Sequence, residues 1–197
     1  MIMQKYWLRL LTKGKEPYIG GFYGPQEGGD REEVRKQYNI LKTHINTLRK
    51  NGKVILAGDF NAKLPVEKDG IKQGVSPNGK LLLELLDQTN TKVISLDSIQ
   101  GMWTRVNTGN NKEKSIIDYI IMTKDDTECV EHIEIDEAVL HKPYRTVTKI
   151  INNIKTKIKV YTDHNTILMS INTSITNGKT TAKKSWKKGD PDKWRKY

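Results

Sequence analysis

KVILAGDFN, residues 53–61, sets a run of strand-forming side chains directly against two polar ones. Lys53 to Ala57 favour an extended backbone, Gly58 ends the run, and Asp59 and Asn61 follow at once. A buried strand that delivers polar groups at its carboxyl end builds the edge where α/β proteins take their ligands. Side chains alternate along a strand, so an acid and an amide two positions apart should point the same way. Held side by side on a rigid strand, they can coordinate a divalent cation through oxygen or aim a water molecule. An ordinary strand-to-turn transition uses the same residue types, and this stretch alone leaves both readings open.

The remaining composition limits the choice. A chain of 197 residues suits one domain with a substantial core. With 36% hydrophobic and 29% charged residues it reads as a polar globular protein. No apolar run approaches the roughly 20 residues that cross a bilayer. The start, MIMQKYWLRLL, lacks the cleavage pattern of a signal peptide. Cys129 is the only cysteine, which excludes an internal disulfide and fits a reducing compartment. The net charge of +11 calls for a polyanionic partner. Residues 173–197 hold eight Lys or Arg against Asp190 and Asp192, a net of +6, leaving +5 for residues 1–172. Such a tail is a solubilising linker or a nucleic-acid contact, and Trp186 and Trp194 among its lysines could stack on bases.

Upstream of residue 53, Tyr6–Leu11 and Pro17–Tyr23 predict a hairpin turning at Thr12 to Lys15. Its second strand ends at Tyr23-Gly24-Pro25, which leaves the tyrosine free to face a cleft or to pack inward. Asp30 and Glu33 have capping-box spacing, and Val34, Tyr38, Leu41, Ile45 and Leu48 predict an amphipathic helix to about Lys50. Downstream, Ser76-Pro77 opens a second helix with Leu81, Leu82, Leu85 and Leu86 on its apolar side. A short strand is predicted at Lys92–Leu96. Residues 115–122, SIIDYIIM, read as an apolar strand with Asp118 in its middle. A buried carboxylate there needs a partner, and a histidine is the best suited by type, unless the strand edge is exposed. Runs at Val130–Ile135 and Arg145–Ile151 are β-rich but unordered by pattern, and Thr162-Asp163-His164 precedes a strand at Thr166–Ile171.

Taken in order, Tyr23-Gly24-Pro25, Gly58-Asp59-Phe60-Asn61, Trp103-Thr104, Ser115-Ile116-Ile117-Asp118-Tyr119 and Thr162-Asp163-His164 resemble the endonuclease/exonuclease/phosphatase superfamily. Within it the chain is most similar to the apurinic-type endonuclease domain of non-LTR retrotransposons, over roughly Tyr18 to Ile171. The resemblance implies an α/β fold, an incomplete four-layer sandwich in which two mixed sheets pack face to face with helices outside. It implies a domain over residues 1–172 and a tail, 173–197, leading towards a reverse transcriptase.

The implied activity is Mg²⁺- or Mn²⁺-dependent DNA hydrolysis, in an intracellular, nuclear setting and with no membrane partner. Asp59 would position or deprotonate the attacking water, and Asn61 would hold the phosphate or a metal. His164 would contact the scissile phosphate, oriented and charged by Asp118; Asp163 would join Asp59 and Asn61 as metal ligands. Tyr23 would orient the phosphate or stabilise the leaving oxygen, and Trp103, Thr104, Arg105 and Ser115 would border the DNA channel. Two departures stand out. Thr162 replaces the usual serine, and the early Asn and Glu motifs have no counterpart before Tyr23, where Glu16 in a turn is the only acid. The expectation is therefore a domain shortened at its amino end, with impaired metal binding. A catalytically silent nucleic-acid-binding remnant and, less favoured, a phosphatase are the alternatives.

Overall fold

Alternation of side chains along the central strand builds two cores, one on each face. In the computed structural model, residues 5–10, 16–68, 70–94, 103–107, 113–136, 144–151 and 154–172 are described. Their elements run β1 (Lys5–Arg9), β2 (Pro17–Tyr23), α1 (Arg31–Leu48), β3 (Lys53–Asp59), β4 (Val66–Lys68), β5 (Ile71–Gln73), α2 (Pro77–Gln88), β6 (Thr91–Val93) and β7 (Arg105–Val106). Then come β8 (Lys114–Ser115), β9 (Asp118–Thr123), a 3₁₀ segment at Lys124–Cys129, β10 (Val130–Ile135), β11 (Tyr144–Ile151), β12 (Ile154–Tyr161) and β13 (Ile167–Ile171).

The main sheet has five strands in the order β1-β2-β3-β9-β6. It is mixed: β2 and β3 run parallel, while β1, β9 and β6 join antiparallel. From β3 and β9, Val54, Leu56, Tyr119 and Ile121 face the core shared with α1 and α2. The alternate residues Ile55, Ile120 and Met122 face a second core with Ile133, against which Ile167 and Met169 also pack. That second core is the contact between the main sheet and the antiparallel β10–β13 pair. The α/β sandwich is therefore as expected, with its helices on the outer face of the main sheet, but among the described residues the facing layer is the antiparallel β10–β13 pair and not a second mixed sheet.

Both helices start where their caps place them. Asp30 accepts the backbone N–H of Glu32 at 2.9 Å, and Ser76 Oγ accepts that of Gly79 at 3.1 Å, each satisfying an N–H that the helix cannot. Val34, Tyr38, Leu41 and Ile45 of α1 are buried, as are Leu82 and Leu85 of α2. Leu48, Leu81 and Leu86 are partly buried against the same core.

The predicted unbroken strand over 115–122 is corrected. Ile116 and Ile117 interrupt it because side chains take their amides: Gln73 Oε1 accepts from Ile116 N at 2.9 Å and Thr104 Oγ1 from Ile117 N at 3.0 Å. Asp118 consequently begins β9 instead of standing mid-strand. The predicted turn at Thr12 to Lys15, the end of the strand predicted to Leu96, and the tail lie outside the described residues.

Gly58, at the end of β3, has φ +149°, and a Cβ there would lie 1.9 Å from the carbonyl oxygen of Phe22. Gly21, one strand away, has open space around its Cβ position. We expect Gly58→Ala to lower unfolding stability by about 1–3 kcal/mol, with Gly21→Ala near neutral, as measured by urea denaturation. Equal stability of the two variants would contradict this close approach of β2 to β3.

Candidate active site

The register of the main sheet sets two acids against each other. Asp59, last in β3, is the direct partner of Asp118, first in β9, and Tyr23 stands beside Asp59 from β2. Their positions continue the alternation that carries Ile55, Ile120 and Met122 to the inter-sheet side. Like charges directly opposed destabilise an antiparallel ladder. Here a histidine relieves the pair. His164 Nδ1 lies 3.0 Å from both oxygens of Asp118. An ionised carboxylate only accepts, so Nδ1 carries the proton and donates. Nε2 then faces Asp59 Oδ2 at 4.0 Å and Asp163 Oδ1 at 3.8 Å.

Backbone and side-chain bonds between distant segments hold His164 in place. Residues 103–106 run beside 163–165: Val106 N donates to Asp163 O at 2.8 Å, and Asn165 N donates to Thr104 O at 2.7 Å. Asn165 Nδ2 donates to Trp103 O at 2.8 Å, and Arg105 bridges to His164. Thr104 Oγ1 also accepts the amides of Ile117 and Asp118, at 3.0 and 3.1 Å, so one buried hydroxyl ties the histidine segment to the start of β9. Arg105 Nε donates to Asp163 Oδ2 at 2.8 Å.

Asp59 and Asn61 do not project as a strand pair, which corrects the reading from period two. Asn61 has φ +45°, the left-handed region, because the chain has already left β3. Its N–H donates to Asp59 Oδ1 at 2.8 Å, and its Nδ2 donates to Gly24 O at 3.0 Å. Asn78 Nδ2 donates to Pro25 O and Asn61 O, at 2.8 and 3.0 Å, and fastens the Tyr23 and Asp59 loops together from α2.

Of the predicted residues, Tyr23, Asp59, Asn61, Asp118, Asp163 and His164 thus gather at one end of the sheet. The four assigned to a DNA channel divide. Arg105 keeps an accessible side chain, whereas Trp103, Thr104 and Ser115 are 4%, 0% and 3% exposed. That expectation is corrected for these three: Trp103 packs into the core, Thr104 Oγ1 is taken by the amides of Ile117 and Asp118, and Ser115 is buried where β8 pairs with Arg105 of β7. Unforeseen supports are Asn78, Asn165 and Gln73, whose amide knits Leu64 O to Ile116 O and N. Tyr119, buried under the site, donates its hydroxyl to Ile116 O at 2.7 Å, has Ala62 O 3.0 Å away, and accepts from Leu64 N at 3.1 Å.

The electrostatics follow from these contacts. The hydrogen bond to Asp118 raises His164 above its ordinary 6.5, outweighing burial, with the charges of Asp118, Asp59 and Asp163 adding to it. Burial raises Asp59; the Asn61 amide opposes this and the nearby charge of Asp118 reinforces it. Burial pushes Asp163 up as well, but the hydrogen bond and charge of Arg105 prevail and hold its carboxyl low. Asp59, Asp118 and His164 each bring one ligand atom within 4.8 Å of the other two. Crowded carboxylates beside an imidazole fit a divalent cation, whose charge would offset the repulsion between them.

This combination of sandwich and site is the endonuclease/exonuclease/phosphatase fold. The endonuclease domain of TRAS1, a telomere-specific non-LTR retrotransposon, superposes with TM-score 0.58 at 16% identity, over 85% of this chain and 63% of that one. The 3'-5' exonuclease NExo from Neisseria meningitidis gives 0.57 at 13%, over 78% and 60%. The catalytic domain of Xenopus laevis APE2 gives 0.57 at 16%, over 88% and 57%. The chain thus spans about three fifths of the length of these proteins. The sequence profile of the endonuclease–reverse transcriptase family matches residues 18–168, and the chain belongs to that family. No curated protein sequence matches it significantly. No helix among the described residues is long and apolar enough to cross a membrane.

Because the folded state holds the His164 proton more tightly than the unfolded chain does, this pair stabilises the protein fully below about pH 6.5, and the contribution fades as pH rises through the raised value. We expect Asp118→Asn to lower the His164 pKa, read from the imidazole ¹H shift against pH in metal-free protein. An unmoved titration would remove Asp118 as the cause.

Proposed function

We propose that this chain is a metal-dependent DNA endonuclease domain of the non-LTR retrotransposon kind, acting upstream of a reverse transcriptase in the nucleus. The observation that carries the reading is the Asp59–Asp118–His164 convergence, with the imidazole fixed by Asp118 and its Nε2 turned towards Asp59. Phosphodiester hydrolysis asks for a base near the attacking water and positive charge near the phosphoryl oxygens. Asp59, raised by burial, suits the role of base and accepts the proton of the water that adds to phosphorus. Protonated His164 supplies the positive charge, donating from Nε2 to a phosphate oxygen while Asp118 keeps it charged and oriented.

As the P–O bond to the leaving sugar breaks, its electron pair stays on the sugar oxygen, which takes a proton from solvent while Tyr23, 46% exposed at the end of β2, hydrogen-bonds it. Arg105, beside Asp163, adds a cation to the approach. A divalent ion, Mg²⁺ or Mn²⁺, would be held through Asp59, which belongs both to the geometric cluster and to the set Asp59, Asn61 and Asp163 implied by the resemblance. When bound, it supplies Lewis acidity that neutralises charge on the phosphoryl group. The donor set is short of carboxylates and Asp163 is partly engaged by Arg105, so metal affinity should be low and activity impaired. That same ion pair is what favours the second reading, a silent nucleic-acid-binding remnant.

Nicking of supercoiled plasmid in millimolar Mg²⁺ tests the choice. Asp59→Asn and His164→Ala should each slow nicking by about 10²–10⁴-fold, and chelation by EDTA should abolish it. Equal nicking by the wild type and both variants would sink the catalytic reading. Absence of nicking with salt-sensitive DNA binding retained would favour the remnant.

A further inference from the structure

Residues 1–172 carry twenty-six Lys or Arg and twenty-one Asp or Glu. Five of the bases, and none of the acids, fall within residues 144–161, so that segment holds the whole net charge of residues 1–172. It is the β11–β12 ribbon, eight residues in each strand, and among the described residues its strands pair only with each other.

Register sorts its side chains into two faces. Tyr144 opposes Tyr161, Thr146 opposes Lys159, Thr148 opposes Lys157 and Ile150 opposes Lys155, and these eight share one face. Lys155, Lys157, Lys159 and Tyr161 are all exposed, whereas Thr156, Ile158 and Val160 between them are half-buried. No acid stands on the lysine face. At the ribbon's base the Tyr144 and Tyr161 rings lie 5.6 Å apart, and Lys159 Nζ sits 4.3 Å from the centre of the Tyr144 ring. Tyr161 leads directly into Thr162, Asp163 and His164.

We infer that the lysine face of β11–β12 is a second DNA contact, lying along the phosphate backbone of duplex that flanks the site. The inference rests on the reading of the site as one that acts on DNA. Alternate residues of a strand repeat at about 6.7 Å, near twice the 3.4 Å axial spacing of phosphates along one DNA strand, so three lysines in a row match a run of phosphates. Counted back along an extended chain, Lys159 to Lys155 stand at most about 16 to 30 Å from His164, the length of about five to nine base pairs. A two-stranded ribbon alone is marginally stable in water, and a polyanion on its charged face would relieve the repulsion within the lysine row. The ribbon reads no base in this assignment; it positions.

The test is the salt dependence of binding to a fluorescent duplex of about 30 base pairs, by polarisation on the full chain with EDTA present. Each phosphate contact on a duplex adds about 0.9 to the slope of log K against log salt. The variant Lys155→Gln/Lys157→Gln/Lys159→Gln should lose about 2 to 3 from that slope, and the corresponding triple Lys→Arg variant should keep it. A control that removes the same charge elsewhere, Lys36→Gln/Lys50→Gln/Lys124→Gln, should leave it nearly unchanged; these three are exposed and lie outside the ribbon. An unchanged slope in the ribbon variant, or an equal loss in the control, would overturn the inference. The nuclease reading is judged separately, by plasmid nicking of Asp59→Asn.

Discussion

Two carboxylates facing each other across an antiparallel ladder are the constraint on which this structure turns. Asp59 and Asp118 are direct partners at the end of the central strand pair. Two unit charges about 5 Å apart repel by roughly 3 kcal/mol at an effective dielectric of 20, so the pair persists only beside positive charge. His164 provides it, bound to one acid and facing the other. The rest of the site answers the same demand: Asp163 adds a third acid, and Arg105 balances it. A site that gathers both signs of charge is also one that can hold a cation or a phosphate.

Neutral groups hold that charged centre in place. Thr104, fully buried, receives two amides from the strand interruption before β9; Gln73 and the Tyr119 hydroxyl satisfy the loops at 62–64 and 116. Asn78 does the same for the loops behind Tyr23 and Asp59. Each of these side chains replaces water that buried backbone would otherwise need, and losing one would leave a desolvated group unpaired at about 1–3 kcal/mol. The charged side chains are thus held in place by neutral ones whose hydrogen bonds go to the protein's own backbone.

This division explains what could be read from the sequence. The α1 stripe, the β3 run and the need of Asp118 for a histidine are local or chemical signals, whereas the sandwich came from the family resemblance carried by the five motifs in order. Trp103, Thr104 and Ser115 misled because a motif marks a residue without saying whether it touches a ligand or props up one that does. Asn61 misled because the alternation was carried past the point where the strand ends; its left-handed φ belongs to a turn. The pairing of residues 103–106 with 163–165 joins segments nearly sixty positions apart, and no periodicity reports such a contact. The β11–β12 ribbon resisted ordering for a different reason: with Ile150 and Ile154 as exposed as its lysines, it lacks the contrast between apolar and polar faces that marks a strand packed on a core.

The placement of charge outside the site follows from the charge inside it. Three carboxylates stand against Arg105 and His164, so even with the imidazole charged the centre keeps a residual negative charge, which on the proposed reading would oppose a phosphodiester until a cation is bound. Attraction at a distance therefore has to come from elsewhere on the chain. Outside the β11–β12 ribbon, residues 1–172 are balanced in charge, so within them the excess positive charge resides on one element joined to the histidine segment. Separating capture from chemistry in this way lets each be varied alone: the ribbon and tail can set how strongly and how salt-dependently a polyanion is held, while the opposed acids set what happens to it once there.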